Sequence, residues 1–153
     1  MIMPNGPFAK VAPASTLQDS ARADLGDLRG LPFGVVNDWN PRTIAVYDMD
    51  PTEHDMLFTR QDELVSPNLR GVLENVAGDQ IQFLPVRLQS LDGEIEFNGY
   101  SLLHSLLKLP ISDAQVDARQ FLVFRVPGER GLRVSQSVLA LMGSEGITGI
   151  RIS

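Results

Sequence analysis

Cysteine is absent from this chain of 153 residues. That excludes disulfides, thiol nucleophiles, and thiolate-bound zinc or iron–sulfur sites. Histidine is scarce: only His54 and His104 are present, so general base and imidazole ligand chemistry has two candidates. His104 lies inside LLHSLL, where a packed imidazole is the simpler reading. No GxGxxG or GxxxxGK[ST] loop is written, which removes the usual phosphate cradles. No GxSxG elbow is written either, so no serine stands in the strand-to-helix setting of a hydrolase nucleophile. Basic stripes with interleaved aromatics are missing, which argues against nucleic acid as a ligand. No apolar run reaches the ~20 residues that cross a bilayer. The first stretch, MIMPNGPFAKVAPAS, has no basic segment leading into an apolar one, so the expected location is the cytoplasm.

What is present is ordinary globular composition, 43% hydrophobic and 21% charged, which fits one domain spanning 1–153. Charge is less evenly spread. The net charge is −6, and between Asp48 and Glu63 stand six acids against one base, Arg60. Such a field repels nucleic acid and anionic membrane and attracts a basic protein. Asp48, Asp50, Glu53 and Asp55 are therefore the candidate partner-binding residues, with Asp50 or Glu53 the expected anchor because they flank Pro51. The plainer reading is a solvated acidic loop. The same stretch, with His54, offers oxygen ligands to a hard cation. It lacks the glycine and glutamate spacing of a calcium-binding loop, so neither metal nor cofactor is expected, and no catalytic residue.

Local signals alternate between helix and strand. Residues 1–14 carry three prolines and read as irregular. Ser15 fits a cap for a short helix with Leu17, Ala21, Leu25 and Leu28 on one stripe. Residues 43–48 read as a strand, and DMDPTEHDMLFTRQDEL as a loop or broken helix because of Pro51. Ser66 is a good helix cap, Pro67 suits the first helical position, and Leu69, Val72, Leu73 and Val76 form a stripe ending at Gly78. Residues 81–89 follow as a strand that Pro85 marks as edge, bulged or short. A turn at Asp92-Gly93 leads into a hairpin partner, EIEFNGY. YSLLHSLLKL suits either a buried helix or a strand covered on both faces, and residues 121–126 are a clear strand. Ser135 then caps a second helix with Val138, Leu139, Leu141 and Met142, stopped by Gly143 or Gly146, and residues 147–152 close as a strand. The expectation is an α+β domain: a mostly antiparallel sheet carrying two Ser-capped helices.

The two Ser-led segments, VSPNLRGVLENVAGDQIQFLPVRL and VSQSVLALMGSEGITGIRIS, repeat one plan. With the intervening Gly-Tyr-x-Leu-Leu stretch and FLVFRV, they resemble a bacterial immunity-protein family of polymorphic toxin systems. Ser66, Leu84, Pro85, Val86, Tyr100, Ser135, Thr148 and Gly149 carry the likeness, which covers residues 60–153 and leaves 1–42 aside. It implies a non-enzymatic inhibitor that binds a cognate toxin and covers its active site or substrate groove. The acidic run would favour a basic toxin, a nuclease being the natural case. Two other functions fit the residues: a small metal-dependent hydrolase built on the acids around His54, and an adaptor that loads a secreted effector.

Overall fold

The computed structural model describes residues 8–13, 21–23, 35–46, 54–59, 62–90, 92–110, 120–127, 129 and 131–153. Helices and strands are interleaved along the chain: β1 (Phe8–Pro13), β2 (Ala21–Ala23), β3 (Arg42–Val46), β4 (Met56–Thr59), β5 (Asp62–Val65), α1 (Pro67–Ala77), β6 (Ile81–Ser90), β7 (Glu96–Phe97), β8 (Ser101–Ser105), β9 (Val123–Phe124), β10 (Leu132–Ser135), α2 (Gln136–Ser144) and β11 (Ile150–Ile152). The architecture is α+β, as expected, but the strands form two sheets. One runs β11-β1-β10-β9, and the other β2-β3-β6-β8-β5-β4 with β7 on the flank of β6. Every strand pairing described is antiparallel except β3 with β6.

The repeated sentence is a repeated topology. In the larger sheet a hairpin, β4–β5, feeds α1, and the chain returns as β6 with β8 between β5 and β6. In the smaller sheet β9 and β10 pair antiparallel, α2 follows, and β11 returns with β1 between β10 and β11. The orders β6-β8-β5-β4 and β11-β1-β10-β9 are the same. Only the inserted strand differs in origin: β8 comes after its unit and β1 before it.

Each helix starts as its serine dictates. Ser66 has extended backbone and its Oγ accepts from Leu69 N at 3.1 Å, with Pro67 at the first helical position. Ser135 does the same for Val138 N at 3.3 Å. The side chain thus satisfies one of the N–H groups a helix start leaves unpaired. The stops differ. Gly78 caps α1 in right-handed helical conformation. In α2 the stop is Gly146, at φ +70, with Gly146 N donating to Gly143 O and Ile147 N to Met142 O. That pair of bonds favours glycine at the left-handed position.

One apolar cluster draws on both sheets and both helices: Val11, Met56, Val65, Leu69, Leu73, Leu103, Val134, Val138 and Met142 are among its buried members. The larger sheet is covered on its other face too, where Ile44, Leu57, Leu64, Leu84, Leu88 and Leu102 pack with Val36 and Trp39. Gln82 holds residue 36 in place by donating to Val36 O and accepting from Val36 N, and the Trp39 indole donates to Pro85 O at 2.8 Å. On the smaller sheet Phe8 and Phe124 meet edge to face, 4.9 Å apart.

Several expectations change. Residues 8–13, read as irregular, are β1, bonded to strands on both sides. The Ser15 helix fails at Ala21–Ala23, which is a strand paired with β3; tertiary hydrogen bonds override a short amphipathic pattern. The rest of that segment lies outside the described residues. The loop expected before Ser66 contains the β4–β5 hairpin, because Met56 and Val65 enter one buried cluster and Leu57 and Leu64 the other, which a charge count does not reveal. Pro85 does not end β6, but it stands where the strand is paired on one side only: β8 pairs Ile81–Pro85 and the pairing with β3 begins at Val86. It pairs with Ser101 one step before Val86 N donates to Tyr100 O, so it occupies a non-bonded pair where its missing N–H costs nothing on that side. YSLLHSLLKL resolves to strand β8, whose Leu102 and Leu103 enter opposite clusters. The hairpin into EIEFNGY is present, with Gly93 at φ +76 in its turn. The strand expected over 43–48 is described as Arg42–Val46. The one over 121–126 shortens to Val123–Phe124. The terminal strand starts at Ile150, because Thr148 and Gly149 form the turn before it.

Candidate functional site

Of the four proposed partner-binding carboxylates, Asp48, Asp50 and Glu53 lie outside the described residues. Asp55 is described, and it faces inward with 8% exposure. One carboxylate oxygen accepts from Ser66 Oγ at 2.5 Å. The other accepts from Thr148 N at 2.7 Å and from Thr148 Oγ1 at 3.4 Å. Its own peptide group is used as well: Asp55 N donates to Thr148 O and Asp55 O accepts from Ser66 N. Asp55 therefore ties the cap of α1, in the first unit, to the turn after α2, in the second. Beside it, a Cβ on Gly149 would stand 2.7 Å from His54 Cα and 2.8 Å from His54 Nδ1, and φ there is +70. Glycine is what lets the turn close on this junction. His54 Nδ1 is buried and has no hydrogen-bond partner among the described residues.

A second carboxylate of the acidic run is also internal. Glu63 on β5 is 1% exposed and forms a two-point ion pair with Arg125, just past β9. Arg125 also donates to Gly131 O at 3.1 Å and Leu103 O at 3.4 Å. The pair bridges the two sheets, with the guanidinium fork matched to the carboxylate. On β10, an inner strand of the smaller sheet, Arg133 donates to both oxygens of Glu129, at 3.0 and 2.9 Å. These bonds chiefly hold the Glu129 carboxyl below its ordinary range. Burial opposes them, and the positive charges of Arg133 and Lys10 add to them.

With these charges committed inside, the concavity on the helix layer stands out. A groove of about 280 Å³ runs between α1 and α2. One wall is Pro67, Asn68, Gly71, Val72 and Asn75 on α1; the other is Leu141 and Glu145 at the end of α2. Val72 and Leu141 give it an apolar floor, and Gly71 leaves its middle open, with nothing within 4 Å of where a Cβ would sit. The groove adjoins the Asp55 junction, because Ser66 precedes Pro67. Sequence reasoning passed over these residues, although a signal was there. Asn68, Gly71 and Asn75 recur at i, i+3 and i+7, on the flank of α1 beside its apolar stripe. Oxygen-rich metal chemistry around His54 gains no support from Asp55, whose lone pairs point at Ser66 and Thr148. Among the described residues no three histidines or carboxylates converge as a metal-binding group.

Neither protein-family models nor curated proteins give a match to this chain.

Proposed function

We propose that this chain is a cytoplasmic immunity protein that binds and neutralises a cognate bacterial toxin, most naturally a basic nuclease, in competition between bacteria. Three things support the reading: the likeness of residues 60–153 to such proteins, the net charge of −6, and the form of the exposed surface. The observation that carries it is the open groove between the two equivalent helices. It is shallow and lined by small uncharged side chains with a carboxylate at its end. An inhibitor needs a preformed face of this kind around a few anchors. An enzyme of this size instead calls for a deep pocket with converging titratable groups. Among the described residues no helix is long and apolar enough to cross a membrane.

In this reading Asp48, Asp50 and Glu53 supply negative charge that draws in a basic toxin. Rim charges act on encounter rate more than on the lifetime of a complex. The test is association kinetics with the toxin encoded beside this chain. The triple variant Asp48→Asn, Asp50→Asn, Glu53→Gln should bind more slowly, with a flatter dependence on salt. A toxin that ignores the parent chain, in binding and in cell survival, would end the immunity reading.

A further inference from the structure

We infer that the groove between α1 and α2 is a docking site for an extended segment of a protein partner, one carrying a lysine or arginine next to an apolar residue. The inference rests on the binding reading above and names what this face takes.

The charge argument comes from Glu145. Its side chain is exposed at the groove end, and it caps the C-terminus of α2, whose last turn holds no basic residue. Helix C-termini carry negative potential from unpaired carbonyls, so a carboxylate there has the unfavourable sign. Among the described residues its side chain takes part in no hydrogen bond or ion pair. The nearest cation on α1, Arg70, is committed elsewhere: it bonds Glu74 at 3.0 Å, donates to Ser101 Oγ at 3.3 Å and lies over the Phe83 ring. The groove end is thus a negative site awaiting a positive side chain.

The case for extended backbone comes from Asn68 and Asn75. Both are exposed, and neither carboxamide is bonded within the described residues. A carboxamide presents one donor face and one acceptor, which matches a peptide group in both senses. Seven residues along a helix rise about 10 Å, at ~1.5 Å each. That matches about three residues of an extended polyproline II chain at ~3.1 Å each, whose three-residue turn brings the peptide group back to the same side. The two asparagines can therefore clasp peptide groups three residues apart. Between them Gly71 opens the wall onto Val72 and Leu141, a seat for one apolar side chain.

The probe is a displayed library of random short peptides selected on the intact chain, followed by binding isotherms for the winners. Enriched sequences should place Lys or Arg beside an apolar residue. Gly71→Leu sets its Cβ in open space and extends the side chain into the seat, and it should weaken the winners by about tenfold or more. Glu145→Gln should weaken them less and remove the preference for a basic residue. Joint Asn68→Ala and Asn75→Ala should weaken every winner alike. Melting curves of all variants should match the parent or exceed it. No enrichment, enrichment without basic residues, or unchanged binding to Gly71→Leu overturns the inference. Toxin binding that survives Gly71→Leu overturns it too while leaving the immunity reading standing. If no toxin binds the parent chain, that reading falls and the peptide selection still decides the groove.

Discussion

Replacing Asp55 separates a fold anchor from a surface contact. The carboxylate takes the Ser66 hydroxyl on one oxygen and the Thr148 N–H on the other, and both bonds sit at a residue with 8% exposure. Hydrogen bonds to a charged group contribute about 1.5–3 kcal/mol each. Asp55→Asn keeps an oxygen for Thr148 N and turns the other position into an N–H donor to Ser66 Oγ, whose hydroxyl can accept. The expected loss is the charge-assisted part of the two bonds, about 1–3 kcal/mol. Asp55→Ala removes both bonds, about 3–6 kcal/mol, against a total stability of about 5–15 kcal/mol for a domain. Urea unfolding should show the midpoint falling in the order parent, Asn, Ala, with unchanged slope. Thr148→Val made with Asp55→Asn should cost less than the sum, because the two share a bond. Partner binding by the folded fraction should be kept. An Asp55→Asn variant with the parent's midpoint and abolished toxin binding would refute this reasoning and return Asp55 to the surface.

Four further outcomes are expected. Breaking the Glu63–Arg125 pair by Arg125→Met should destabilise by about 3–5 kcal/mol, since it leaves Glu63 buried and unpaired, whereas Glu63→Leu with Arg125→Met should recover most of the loss; chemical denaturation of the set checks both. Ser66→Ala and Ser135→Ala should each cost about 0.5–2 kcal/mol through the cap, and Ser66→Ala should cost more because it also strips a donor from Asp55. Gly71→Ala should raise stability by about 0.5–1 kcal/mol, whereas Gly149→Ala should lower it, the new Cβ meeting His54; thermal melts compare them. The Glu129 carboxyl is held low in the folded state, so its contribution is present above the ordinary glutamate range and lost as pH falls through the folded value. Glu129→Gln should therefore flatten the acid side of the stability profile and leave its neutral slope alone.

The serine caps, the helix stripes and the hairpin at Asp92-Gly93 were legible because the interactions that make them are local. A cap bonds three residues ahead, a stripe repeats every turn, and a glycine sets its own turn. The inward placement of Asp55 and Glu63 was not legible, for the opposite reason. Asp55 meets Thr148 across 93 residues and Glu63 meets Arg125 across 62, so a count over the acidic run takes two internal charges for surface ones. Charge density in sequence says nothing of partners supplied by another sheet. Strand β1 was hidden likewise: FAKVAP is short and bounded by prolines, and it is a strand because β10 and β11 bond it from both sides.

The duplicated unit also shows where to look for function, by comparing its copies position by position from Ser66 and Ser135. Where the copies agree, they make the fold: Leu69 with Val138 and Leu73 with Met142 enter the shared core, and each serine caps its helix. The groove lies among positions where they differ. Asn68 answers to Ser137, Gly71 to Ala140 and Asn75 to Ser144, so α1 carries longer carboxamides around a gap while α2 carries an even row of small side chains. None of these positions packs its helix on a sheet, since α1 buries Leu69, Val72, Leu73 and Ala77 and α2 buries Val138 and Met142. Glu145 stands where the first copy has Val76, a partly buried core contact. An equivalent position has been turned from packing to charge at the mouth of the groove. Restoring the match tests the point: Glu145→Val should leave the core unchanged, keep or raise the melting temperature, and remove selectivity for basic segments. A Glu145→Val variant with the parent's peptide preference would mean that the difference between the copies is drift.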